Sequence, residues 1–234
     1  MESNEKLYSE LLNDGRVKKK NLNTSAMYIF NGNIAVALML PTLVYGPDSD
    51  SGWSFKDSFF LKQASIVQII TSLEAYYQDT FEIITKNLTT SEIDAVALSR
   101  FLKENRLLTE FTEALQKQKT LHFHVSEIVP KFYPFQDKEK IKLALNLVGL
   151  DPIGPYDKEW ANTFGDNEDS TVNLRHAFVH RGCFTNLLGY LNGSFVISRI
   201  KDAMVLANFV NDQIIGRFQV AKFKELYPRL VEKR

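Results

Sequence analysis

Arg175, His176 and His180 stand together in the stretch Leu174-Arg175-His176-Ala177-Phe178-Val179-His180-Arg181-Gly182, which holds two of the chain's four histidines. On a helix, His176 and His180 are four residues apart and share a face, one turn from each other. Arg175 starts about 140° around the helix from His180, a gap its long side chain can close. Such a group offers a permanent cation, an imidazole that titrates near neutrality and a second imidazole for orientation or binding. Those are the parts that metal-free cleavage of RNA needs. One group takes the 2'-hydroxyl proton, one protonates the leaving 5' oxygen, and the cation steadies the charge of the phosphorane.

The same residues are open to two other readings. His122-x-His124 together with His176-x3-His180 has spacing suited to a metal site, the second pair supplying two ligands from one helical face. Against it, no carboxylate stands within the HxxxH as a general base, and Arg175 and Arg181 place positive charge beside the cation. The third reading is structural: Arg175 pairs with a core acid such as Glu74, and His180 sits at a helix C-terminus, where cationic groups are favoured. Other motif-bearing chemistries are missing from the sequence, which has no phosphate-cradling glycine loop, nucleophile elbow, HExxH or CxxC pair.

The elements that must position these residues follow from hydrophobic period. The longest helical pattern runs from about Phe55 to Asn87, with Phe59, Val67, Ile70, Leu73, Tyr77, Phe81 and Ile84 at three- and four-residue steps and no Gly or Pro inside it. Ser72 and Glu74 are polar within this stretch, and Tyr76 and Tyr77 read as bundle core rather than as base-stacking platforms. A second long pattern, from about Ile197 to Leu226, carries Ile200, Ala203, Met204, Ala207, Val210, Ile214 and Phe218, and is expected to lie along the first. Shorter helices are expected over Ser91 to Glu104, Leu107 to Gln118 and Asp137 to Val148. A loop at Asp151 to Pro155 and a polar turn at Phe164 to Ser170 lead into a helix from Thr171 to Arg181, capped by Asp169 or Ser170 and stopped at Gly182. Beyond it, Phe184 to Leu191 and Ser194 to Ser198 flank Asn192-Gly193, a short-hairpin signal. Residues 1–54 read as an N-terminal extension to a helical domain over 55–234, with Met27 to Val44 either a hairpin or a buried helix cut at Pro41.

Composition narrows the class. With 234 residues, 44% hydrophobic and 24% charged, the chain can bury a full core. Lys plus Arg and Asp plus Glu each total 28, so an anionic partner must be held by a local patch. Arg16, Lys18, Lys19 and Lys20 form a short basic run that reads as a solvated face. One cysteine, Cys183, excludes an intrachain disulfide framework, fits a reducing compartment, and reads as a small packing residue. The charged stretch Met1 to Lys20 has no apolar signal-peptide core, and Ile34 to Tyr45 is shorter than the ~20 residues a spanning helix needs. The expected location is the cytoplasm, so the sequon-like triplets at Asn23, Asn87 and Asn192 carry no glycan meaning.

Arg175-His176-Ala177-Phe178-Val179-His180 resembles the R-x4-6-H signature of HEPN domains. Ser72-Leu73-Glu74-Ala75-Tyr76-Tyr77-Gln78-Asp79 is similar to the first long helix of HEPN subfamilies in which an acid faces the site. Leu143 to Pro152 is similar to the linker before their motif helix. The resemblance, over roughly Phe55 to Leu226, implies an all-α helical bundle of two long antiparallel helices plus shorter ones, with a small β-hairpin after the motif helix. It implies a metal-independent endoribonuclease of the toxin or antiphage type, with no cofactor, leaving 2',3'-cyclic phosphate and 5'-hydroxyl ends. It assigns His180 to the catalytic imidazole, Arg175 to phosphate stabilisation, His176 to the polar position after the arginine, Glu74 to the supporting acid and Arg181 to RNA binding. It also implies a homodimer with a composite groove and leaves room for a cognate antitoxin or sensor protein. The alternative within the family is a non-catalytic module that binds RNA or a protein through the same groove.

Overall fold

The computed structural model describes residues 25–40, 55–87, 94–116, 125, 128–131, 133–135, 137–181 and 191–217. Among them it is helical, with no strand. The helices are α1 (Ser25–Met39), α2 (Phe55–Asn87), α3 (Ala95–Glu104), α4 (Leu108–Leu115), α5 (Lys138–Leu147), α6 (Asp157–Phe164), α7 (Thr171–Arg181) and α8 (Gly193–Arg217). Contacts divide the chain into two units, one of Met1–Leu73 with Ile153–Arg234 and one of Glu74–Pro152. Helix α2 contributes to both.

In the first unit, α8 packs against α6 and α1, and α6 against α7. Its core draws Phe30, Ile34 and Ala37 from α1, Ile66, Ile69 and Ile70 from α2, Trp160 and Phe164 from α6, and Ile200, Ala203, Leu206 and Val210 from α8. These are the apolar positions of the helical period, and their burial is the main stabilising term. The Ser65 hydroxyl of α2 donates to the Ala37 carbonyl of α1. Gly154 takes a positive φ of 51° and lies so close under the Phe209 ring that no Cβ fits. Tyr156 meets the same ring edge-on, so this turn seats the start of α6 on α8.

In the second unit, α3 packs on α4 and α5. Asp94 and Asp137 accept hydrogen bonds from the first-turn amides of α3 and α5 through their carboxylates. Both helices end alike. Arg106 (φ 58°) and Gly149 (φ 74°) are left-handed, and each is followed by a residue whose amide reaches back five positions, Leu107 to Leu102 and Leu150 to Leu145. The leucine of each pair before the turn and the one after it are buried together. Tyr133 packs against Phe101 and Phe135 and donates its hydroxyl to the Lys140 carbonyl at 2.9 Å.

One expectation is corrected here. The hairpin at Asn192-Gly193 does not form, because Ser194 to Ser198 is the first part of α8. Asn192 caps that helix instead, its Oδ1 accepting from the Phe195 amide at 2.8 Å and the Ser194 hydroxyl at 2.6 Å. Asparagine serves turns and N-caps through the same side-chain oxygen, and the buried Val196 and Ile200 that follow at four-residue spacing decide for the cap. The rest of the other arm, Phe184 to Tyr190, lies outside the described residues. Over Met27 to Met39 the chain takes the helical one of the two readings its sequence leaves open, and α6 is an additional helix, signalled by Asp157 and Glu159 in its first turn and by Trp160 and Phe164 four apart.

Candidate active site

The site is carried by α7, whose two halves differ. Its first turn is rooted. The Leu174 amide bonds the Ser170 carbonyl at 2.9 Å, which makes Ser170 the capping residue by backbone. Its hydroxyl makes no capping bond: the oxygen is buried without a hydrogen-bond partner among the described residues. Asp169 does not cap either. Its carboxylate faces Arg199 of α8 at 3.7 Å, and its carbonyl accepts from the same guanidinium at 3.1 Å. The capping expected of these two residues is thus replaced by a link to α8.

Other bonds fix the same root. The Thr171 hydroxyl donates to the Asn162 carbonyl of α6 at 3.2 Å. Asn173 Nδ2 donates to the carbonyls of Gly165 at 3.3 Å and Asn167 at 2.8 Å, closing the 165–170 turn against the helix it precedes. Val172 and Leu174 are buried. Arg199, itself buried, lies 3.6 Å from Asp202 and stacks on Phe195 at 4.6 Å, and Asn162 donates to Asp202 at 3.0 Å. Arg199, Asp202 and Asn162 therefore tie α6, α8 and the root of α7 together. None of the three stands out as functional in the sequence; the signal is an Arg and Asp three apart inside an otherwise apolar stripe.

From Arg175 onward α7 emerges. Arg175, His176, Val179 and His180 span an arc of about 140° on one side of the helix. His176 and His180 are exposed, Arg175 is half-buried with its Nε out of solvent, and Val179 is 55% exposed. The two imidazoles stack, ring centres 5.9 Å apart and 18° from parallel. Partial burial, then Arg175, then His180, hold the His176 imidazole below its ordinary value. His176 is thus suited to stay neutral at physiological pH and accept a proton, next to a cation that cannot lose one.

The structure brings Arg175, His176 and His180 together. Arg181 closes α7, and its side chain lies outside the described residues, as do Gly182 and Cys183. Glu74 opens the second unit and lines a cleft of about 460 Å³ there with Gln78, Lys131, Tyr133 and Phe135. Gln78 Nε2 donates to the Pro130 carbonyl at the cleft wall, at 3.0 Å. Tyr76 and Tyr77 are fully buried, and burial pushes the Tyr77 phenol far up, so it stays neutral in the core. Among the described residues no three His, Cys, Asp or Glu side chains are grouped to hold a metal; His122 and His124 lie outside those residues. No described helix is long and apolar enough to cross a membrane.

Compared with protein-family models, curated proteins and solved structures, the chain matches none.

Proposed function

We propose that the chain is a metal-independent endoribonuclease of the HEPN type, acting in the cytoplasm as a toxin or antiphage effector. The observation that supports it is the exposed, stacked pair His176 and His180 beside Arg175, on a helix whose root is fixed to two neighbours. In this reading one imidazole removes the proton from a ribose 2'-hydroxyl. The freed oxygen attacks the adjacent phosphorus, the bond to the 5' oxygen breaks, and the other imidazole protonates that oxygen. The products are a 2',3'-cyclic phosphate and a 5'-hydroxyl, and the two histidines exchange protons with water to reset. His176, held below its ordinary value, suits the accepting role. Arg175 steadies the charge on the non-bridging oxygens. The HEPN resemblance assigns Glu74 to the supporting acid and Arg181 to RNA binding, and in this reading a second protomer completes the groove, with an antitoxin or sensor protein as its regulator.

A second reading, a non-catalytic module binding RNA or a protein through the same face, draws on Val179. An apolar side chain 55% exposed between the charged groups adds contact area without chemistry. One experiment separates the two. Purified wild type and His180→Ala are incubated with cellular RNA with and without EDTA, and the new ends are mapped. Wild-type-only cleavage with cyclic-phosphate ends is the expected result. RNA bound but uncut by both proteins would put the binding module in its place, and cleavage that EDTA abolishes would move the site to metal chemistry.

A further inference from the structure

Helix α1 has no charged residue along its 15 positions. One face of it is spent on the first unit: Ala26, Met27, Phe30, Ile34 and Ala37 are buried, and α1 packs on α8. Shifting that pattern by two residues gives Tyr28, Ile29, Gly32, Val36 and Met39, a stripe with the same spacing turned about 200° around the helix. Its large members are 53%, 48%, 48% and 59% exposed. A helix that is apolar on opposite faces belongs in an interior, and among the described residues this face stays about half exposed.

We infer that a second copy of this chain docks on the outward face of α1, with Gly32 at the crossing point. Three observations select this occupant. First, the face carries no charge, and an interface that pairs with its own copy needs a patch complementary to itself, which an uncharged apolar stripe is without further adjustment. An anionic lipid surface or a charged peptide would find no Lys, Arg, Asp or Glu on α1 to read. Second, the formal net charge of the chain is zero, so no long-range repulsion keeps copies apart. Third, the size fits. The four large residues offer roughly 450 Å² per copy, or about 900 Å² for a pair, which is the size of a weak, concentration-dependent association. A Cβ built on Gly32 meets nothing within 4 Å, so the middle of the stripe is open to close approach by a second helix, with axes ~8 Å apart.

The test is sedimentation of the full chain without RNA, from about 1 to about 100 µM, beside the double variant Ile29→Glu/Val36→Glu and a control, Val96→Glu, at an exposed apolar residue of α3. Both positions of the double variant are half exposed within one chain, and circular dichroism checks that the helices persist. The expected result is that the double variant falls by one step of assembly, dimer to monomer or tetramer to dimer, with the association weakened about 100-fold or more, while the control matches wild type. Equal assembly of wild type and double variant would overturn the inference, whatever other interface exists. A wild type that stays monomeric would also overturn it, and its α1-dependent capture by neutral lipid vesicles would name the occupant instead. The measurement reads no cleavage, so its failure and that of the ribonuclease reading are separate events.

Discussion

The two halves of α7 are built to opposite rules. From Ser170 to Leu174 every feature is a restraint: buried Val172 and Leu174, an Asn173 amide spanning the preceding turn, a Thr171 hydroxyl on α6, and the Asp169–Arg199 link to α8. From Arg175 to His180 the side chains stand partly or wholly in solvent, and the geometry that matters is between the two imidazoles. The difference shows how a short helix can present reactive groups in a fixed place without burying them. The root supplies the position, and the tip is left free to meet a ligand. A catalytic group placed in the root would be sealed off, and one on a tip without a root would wander.

The sharpest way to break the comparison is to alter the tip alone. His180→Ala is expected to lower RNA cleavage by about 100- to 10,000-fold while leaving the melting temperature within a degree or so of wild type, because an exposed side chain gives little stability. A loss of activity accompanied by unfolding would show that the tip is structural after all. At the root the expectation reverses. Leu174→Ala leaves a cavity in the first unit and is expected to cost about 2–5 kcal/mol in denaturant unfolding, with cleavage lost only in proportion to the unfolded fraction.

A comparable loss, about 3 kcal/mol, is expected for Asp202→Ala, which leaves the buried Arg199 guanidinium short of its closer and more buried carboxylate. The exposed Asp169 carboxylate is the weaker partner, so Asp169→Asn is expected to cost well under 1 kcal/mol by the same measurement. Asn173→Ala, removing the amide that closes the 165–170 turn, is expected to cost about 1 kcal/mol.

The smallest effect concerns protons. His176 should titrate by NMR below the ~6.5 of a free histidine. Arg175→Gln should raise its midpoint more than His180→Ala does, since the arginine is the larger of the two charges acting on it. The sign for stability follows: a folded-state value below the unfolded one means that the unfolded chain binds the proton first. Any contribution of His176 is therefore fully present above about 6.5 and is lost as pH falls below that value. If the histidine is the accepting base, the acid limb of the cleavage profile should lie below that value as well. A His176 that titrates above it would remove the base assignment.

Much of the fold was legible in the sequence where a long apolar period ran uninterrupted. Helix α2 from Phe55 to Asn87 and α7 from Thr171 to Arg181 lie where the period and the flanking turn residues place them. The failures were local and share a cause. Asn192-Gly193 carries both a turn signal and a capping signal, and only the burial of Val196 and Ile200 beyond it selects the cap. Asp169 and Ser170 both have capping chemistry, yet Arg199, thirty residues on from Asp169, claims one, and burial silences the other. Helix α6, at eight residues, was too short for its period to stand out. At the candidate site, the spacing of His176 and His180 was readable because it lies within one helix. The Asn162, Asp202 and Arg199 network that holds that helix was not, because it joins residues about 40 apart along the chain.

The sequence alone determined the helical class, the course of the longest helix and the grouping of Arg175, His176 and His180, because these depend on period and spacing within a few turns. Tertiary structure alone decided which half of α7 is buried, that Arg199 anchors its root, and that α1 spends one of its two matching apolar faces. Those outcomes depend on which distant side chains arrive at the same place, and a local pattern does not encode that.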